Sequence, residues 1–306
     1  MPLVPMTALL KDALARGYGV GYFEAWDTYS LEAVCEAAEE EQAPVILGFG
    51  CMMMDSAWLD NGGIALLAGI GRVVANRAQV PTALLLNEAQ TLDQAMRAME
   101  LGFNAVMLDT SAWPLEEAEG VVRQLARAAH ARGVAVEAEL GRLPDAIAGG
   151  SGGIDDSTAR LTDPEQAAAF VERTGADCLA VSIGNVHLLT ASAAPVDMAR
   201  LEAIHRSVRV PLVIHGGTSF PAEAVPAAIA NGVAKFNVGT AIKQAFVEGM
   251  REAVGRWPAR VDVHAALGSH AKDDFLNAGK AAMKAKVREL IRLYGGSGRA
   301  VNWKPE

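Results

Sequence analysis

The sequence predicts a closed, parallel (β/α)₈ barrel, a single domain over residues 1–306 with a helical tail from about residue 260. Three features predict it. Short apolar, strand-like runs alternate with stretches of helical spacing; the alternation repeats eight times with no linker-like composition between units; and carboxylates and imidazoles collect where the runs end. The same alternation allows one alternative, an open doubly wound sheet.

Taken in order, strand one spans 18–24 and is followed by a helix over 28–42. Strand two covers 44–49, with a helix over 64–79 after it. Strand three, 80–86, precedes a helix over 91–101 that Gly102 stops. Strand four is 104–108, and Pro114, well placed in a first helical turn, opens a helix running to 132. Strand five, 134–139, is followed after a long insertion by the helix 164–174. Strands six, seven and eight are 178–183, 210–214 and 233–238, with helices over 196–207, 221–230 and 240–254. Two stretches break the rhythm. Residues 141–162 carry Gly149-Gly150-Ser151-Gly152-Gly153, too flexible for an element interior, and read as a mobile lid after strand five. The tail over 273–294 has helical spacing and many lysines and arginines, suited to packing across the barrel or against another subunit.

Composition narrows the functional classes. With 51% hydrophobic residues the chain can build a sizeable core, and a net charge of −9 without a long basic cluster argues against nucleic acid or an anionic membrane as partner. A small anionic substrate would therefore need local cations, a metal or backbone donors. Cys35, Cys51 and Cys178 are far apart, match no disulfide or metal framework, and suit a reducing cytoplasm. No window reaches the roughly 18 apolar residues of a membrane span, and the start of the chain lacks the pattern of an export signal.

In a barrel of this kind the chemistry collects at the carboxyl ends of the strands. The segment Pro211-Leu-Val-Ile-His215-Gly216-Gly217-Thr218-Ser219 delivers an imidazole at a strand end beside backbone bare of side chains. His187 follows strand six in the same manner. Glu24, Asn87 with Glu88, Asp109, Glu137 with Glu139, and Asn237 end the others. Two imidazoles and a carboxylate are a ligand set used by catalytic zinc, so a divalent metal site is expected. The turns Gly216-Gly217-Thr218 and Asn237-Val238-Gly239-Thr240 offer backbone amides, hydroxyls and a helix amino terminus as a phosphate cradle. His130, His205, His264 and His270 fall on helices or the tail and read as surface or structural. Cys51-Met52-Met53-Met54 reads as apolar packing near the pocket, and Trp26 and Trp58 as packing or as pocket walls.

These residues together resemble the class II, metal-dependent ketose-bisphosphate aldolases. The similarity spans nearly the whole chain, through Gly17-Tyr-Gly-Val-Gly-Tyr-Phe, Gly102-Phe-Asn-Ala-Val-Met-Leu-Asp109, Val136-Glu-Ala-Glu139-Leu-Gly, Ile183-Gly-Asn-Val-His187, His215-Gly-Gly-Thr and Lys235-Phe-Asn-Val-Gly-Thr240. The resemblance implies a barrel, a homodimer or homotetramer, zinc held by three histidines, and cleavage of a ketose phosphate. His187 and His215 match two of those histidines. Where the family reads Leu-Asp-His-Gly, this chain reads Leu86-Asn87-Glu88-Ala89, so the third ligand becomes Glu88 and the proton-shuttling aspartate becomes Asn87. Asparagine does not accept a proton at neutral pH, so the proton must travel through Glu24, Asp109, Glu139 or a lid carboxylate such as Asp155 or Asp156. Gly216, Gly217, Thr218, Asn237, Gly239 and Thr240 make up the implied substrate and phosphate contacts. Leu188 stands where the family has glycine, Glu24 where it has asparagine and Gly50 where serine is common; a negative Glu24 would repel phosphate.

The expectation is a diverged aldolase-type carbon–carbon lyase acting on a ketose phosphate or related hydroxy-keto sugar through an enediolate. The metal is expected to be Zn²⁺, or Mn²⁺ or Mg²⁺, held by Glu88, His187 and His215. An isomerase or epimerase of sugar acids or sugar phosphates, and a catalytically silent sugar-binding barrel, are the alternatives.

Overall fold

Eight parallel strands pair in one closed ring: β1 (Val20–Ala25), β2 (Val45–Gly50), β3 (Thr82–Ala89), β4 (Ala105–Leu108), β5 (Ala135–Leu140), β6 (Cys178–Val181), β7 (Leu212–Ile214) and β8 (Val233–Val238), with β8 returning to β1. The structure is a computed structural model describing residues 3–146, 154–155, 160–186 and 195–304. Helices connect successive strands, so the (β/α)₈ barrel expected from the sequence is the fold, and the open sheet is excluded by the β1–β8 pairing of Val20 with Lys235 through Phe23 with Val238.

Alternation along the strands divides the core into two layers. Tyr22, Ile46, Ala83, Leu85, Ala105, Ala135, Cys178, Ala180, Val213 and Ala234 fill the barrel interior. Their neighbours on the other face, among them Phe23, Leu47, Leu84, Val106, Val136, Leu179, Ile214 and Phe236, pack beneath the helices. The interior layer continues into Met6, Leu9, Leu10 and Ala13 of the helix Met6–Arg16. That helix, which the strand–helix alternation does not announce, lies at the amino end of the barrel. Val4 N donates to Thr82 O at 2.9 Å and Asn104 Nδ2 to Val4 O at 2.8 Å. With that end occupied by a helix, a ligand has the opposite mouth to enter.

The tail forms the helix Phe275–Leu293 and packs on this chain's own helices Thr28–Glu40 and Thr240–Gly255. Lys280, Lys284, Arg288 and Arg292, spaced by four along one face, meet Glu32, Glu36, Glu40 and Glu41 in a ladder of ion pairs. Of the insertion expected to form a lid, an Arg142–Arg160 bridge and a two-residue ladder of Asp145–Ala146 with Ile154–Asp155 are described. Residues 147–153 and 156–159, including the glycine run and Asp156, lie outside the described residues. No helix among the described residues is long and apolar enough to cross a membrane.

Candidate functional site

A pocket of roughly 730 Å³ opens where β1, β2, β3, β7 and β8 end. Its lining includes Glu24, Asn87, Glu88, His215, Gly216, Thr218, Asn237, Gly239 and Thr240, which the sequence singled out. Gly217 stands behind this wall, its N–H donating to Asn237 O at 2.9 Å and thereby tying the β7 turn to the β8 end. Gly216 has φ +65°, and a Cβ there would run into Val186 O, so the turn after His215 requires glycine.

The end of β3 departs from the expected geometry. β3 continues through Ala89, and its pairing with β4 shifts register between Leu86 and Ala89. Glu88 has φ +54°, in the left-handed region. In a regular strand, adjacent residues point to opposite faces, yet both Asn87 and Glu88 line the pocket. The bulge and the left-handed residue accomplish this by turning Glu88 inward, an arrangement that costs about 1 kcal/mol for a residue with a Cβ. Glu88 Oε1 consequently lies 3.4 Å from His215 Nδ1.

His215 is the centre of a buried charge cluster. Nδ1 also faces Glu139 Oε2 at 3.3 Å, while Nε2 is 2.8 Å from Glu137 Oε1. Glu137 in turn pairs with Lys235, whose ammonium sits 5.0 Å from the centre of the Tyr22 ring. Burial by itself would depress the His215 pKa; hydrogen bonds to Glu137 and Glu88 and the charges of Glu139 and Glu137 overcome it and hold the ring up to about 10. Burial also acts to raise Glu137, but the Lys235 charge and the His215 contact bring it down to about 2. Glu139 has no such lysine, so burial and the charges of Glu88, Asp109 and Glu137 outweigh His215 and push it up to about 8. Asp109 lies outside the main pocket and accepts from Ser111 N at 3.0 Å, while Glu139 lines a neighbouring cleft with Thr110, Trp113 and Arg160.

The donor set fits a divalent cation. Imidazole nitrogen and carboxylate oxygen converge on one spot, and the other ring nitrogen is fixed by a carboxylate, the arrangement that orients metal-binding histidines. Among the described residues no three His, Cys, Asp or Glu side chains form a complete cage. Glu88 and His215 would supply two donors to such an ion; His187, the third expected from the sequence, lies outside the described residues, as does Leu188.

Several further residues belong to the site. Lys235 is fully buried in a barrel strand, and a lysine inside an apolar run signals a buried counter-ion. Tyr22 lines the pocket, and one face of the helix Thr240–Gly255 adds Lys243, Gln244, Val247 and Arg251. Lys243 Nζ reaches Glu24 Oε1 at 2.6 Å. Met52 and Met53 form an apolar wall, whereas Trp26 packs edge-on against Phe246, with 5.2 Å between ring centres.

The family described as fructose-bisphosphate aldolase class-II matches residues 4–299. Among curated proteins, a sulfofructosephosphate aldolase from Alkalicoccus urumqiensis is 33% identical over 303 residues, covering 98% of this chain and 99% of its own. A fructose-bisphosphate aldolase from Geobacillus stearothermophilus is 35% identical over 305 residues, with 98% and 99% covered. Among solved structures, the YdjI aldolase from Escherichia coli K12 superposes with a TM-score of 0.78 at 29% identity, over 97% of this chain and 99% of that one.

Proposed function

The chain belongs to the class-II fructose-bisphosphate aldolase family and is an aldolase-type lyase; from that premise, we propose that it cleaves a ketose phosphate in a reaction that depends on a divalent metal, Zn²⁺ first and Mn²⁺ or Mg²⁺ as alternatives. The observation that carries the reading is the convergence of Glu88 and His215 at the pocket wall, with Glu137 steadying the far side of the ring. Glu88, His215 and His187 would hold the ion, which supplies Lewis acidity toward a ketone oxygen.

The chain's own groups do the rest. Glu137 accepts a hydrogen bond from His215 Nε2–H, so that Nδ1 presents its lone pair toward Glu88 and Glu139 once the ring has released its other proton. In the cleavage, a base removes the proton of the hydroxyl on the carbon two removed from the ketone carbon, the bond from that carbon to the carbon next to the ketone breaks, and an aldehyde leaves. The bond electrons pass to the ketone oxygen as an enediolate, and an acid then protonates the carbon to give the second product. Asn87 can donate and accept hydrogen bonds to a substrate hydroxyl but cannot carry the proton. We assign that task to Glu139, a buried carboxyl whose Oε2 lies 3.3 Å from His215 Nδ1. Gly216, Thr218, Asn237, Gly239 and Thr240 line the wall that grips the substrate's oxygens.

The test is a panel of ketose phosphates with each of the three metals, on the parent and on Glu88→Ala, His215→Ala, Glu139→Gln and Asn87→Asp. Cleavage lost with bound metal in the first two, lost without loss of metal in Glu139→Gln, and raised in Asn87→Asp is the expected pattern. Full activity in metal-free protein would overturn it.

A further inference from the structure

The turn after β8 looks like an anion cradle in sequence, yet the chain's own carboxylate is already in it. Glu24 Oε2 lies so close over Gly239 that a Cβ there would collide with it, and a Cβ on Gly50 would come within 2.9 Å of Glu24 Oε1. The Glu24 carboxylate is therefore wedged between two glycines, one at the end of β2 and one beside the first turn of the helix Thr240–Gly255. Lys243, on that first turn, is committed to Glu24 at 2.6 Å. Thr218 Oγ1 takes the Ala241 N–H at 3.1 Å. Two of the positive groups that would greet a phosphate, the Lys243 ammonium and the Ala241 N–H, are thus spoken for, and the Glu24 carboxylate, whose charge Lys243 supports against the burial that raises its pKa, stands between them.

Three polar residues on the same wall are neutral. Both amide atoms of Asn237, the amide oxygen of Asn87 and the hydroxyl of Tyr22 are buried without hydrogen-bond partners among the described residues, and all three residues line the pocket. Asn237 is 7% exposed, Asn87 3% and Tyr22 2%, so water does not readily compensate them. Amide and phenol groups of this kind, which donate and accept, match alcohol and carbonyl oxygens.

We propose that the substrate end lodged against the Gly239–Thr240 turn, the terminal carbon next to the reacting carbonyl, carries a free hydroxyl rather than a phosphate, and that Glu24 is the specificity residue that enforces this. The released ketone is then dihydroxyacetone-like and uncharged. A phosphate at the opposite end of the ketose has Arg251 on the pocket wall to meet it. This inference rests on the aldol reading above.

The test follows exchange of solvent deuterium into dihydroxyacetone and into dihydroxyacetone phosphate by the metal-loaded enzyme. The proton on the hydroxyl-bearing carbon leaves, its electron pair passes to the carbonyl oxygen, and a deuteron returns. The expected result is a preference for dihydroxyacetone of about tenfold or more in kcat/KM, falling by about tenfold or more in Glu24→Gln and in Glu24→Asn. Calorimetry on metal-free protein gives a second readout: inorganic phosphate should bind to Glu24→Gln and not to the parent. A parent that prefers the phosphate, or a ratio unmoved in both variants, overturns the inference and leaves the aldolase reading standing. Exchange of neither compound, with metal bound, overturns both.

Discussion

Glu137 Oε1 lies 2.8 Å from His215 Nε2, and both side chains are sealed from solvent at 1% exposure or less. The same carboxylate pairs with Lys235, so one buried anion fixes a ring that faces the pocket and neutralises a cation behind it. Replacing Glu137 by Gln leaves Lys235 uncompensated, and the variant should lose about 3–5 kcal/mol in urea unfolding. Adding Lys235→Met to Glu137→Gln should restore most of that stability. Metal affinity should still fall about 10–100-fold in the double variant, because the ring has lost its anchor. Recovery of metal binding along with stability would show that Glu137 serves only to balance the lysine.

The same cluster predicts how metal binding responds to pH. In the metal-free protein the carboxylates hold His215 up to about 10, so at neutral pH the ring is protonated on both nitrogens. An ion that takes Nδ1 must displace that proton, and affinity should rise by about tenfold per pH unit for each proton released. The rise should continue through pH 6–8, well below the folded-state value of about 10. Calorimetric titration in buffers of different ionisation enthalpy counts the protons directly. A flat affinity over that range would mean that the ring is already neutral.

Glu88 allows geometry and chemistry to be separated. Its φ of +54° is comfortable for glycine and strained for glutamate. Glu88→Gly should therefore raise conformational stability by about 1 kcal/mol in metal-free protein, while abolishing tight metal binding. Glu88→His should keep a donor at the same place and shift preference from Mn²⁺ or Mg²⁺ toward Zn²⁺, because imidazole is the softer ligand. Competition titrations between the metals measure the shift. Destabilisation by glycine would argue that the bulge owes its shape to the carboxylate's contacts and not to the backbone.

How far the sequence reaches can be traced residue by residue. His215 is legible because an apolar β-branched run, an imidazole and a pair of glycines fall in an order that makes sense for a strand end. Glu88 is legible as a replacement within a motif, but its direction is not, since regular alternation would turn either Asn87 or Glu88 away and only the register shift brings both inward. Lys235 and Glu137 are each visible as charges in apolar strands. Their pairing across 98 positions emerges only when the barrel closes. The Glu24–Lys243 contact spans 219 positions and joins the first strand to the last helix of the series, a relation no local pattern encodes. The helix Met6–Arg16 escapes because it precedes the first strand and so falls outside the alternating series.

The tail offers a test of stability apart from the site. Glu41 accepts from Arg292 at 2.5 Å, Arg288 at 2.8 Å and Ser297 at 2.8 Å, and its side chain is only 8% exposed. The hydrogen bond from Arg292 is the largest influence on it and, with Arg288 and Ser297, outweighs burial to bring the carboxyl down to about 2. An unfolded glutamate titrates near about 4.3, so the folded state binds this proton more weakly than the unfolded state does. The stabilisation is therefore complete above about pH 5 and is lost as the pH falls toward 2. Glu41→Gln should lower stability by about 1–3 kcal/mol at pH 7, and the gap between variant and parent should close in acid. Urea unfolding from pH 7 down to pH 3 measures the gap; one that stays constant across that range would show that the contribution is packing of the Glu41 stem, with the charge playing no part.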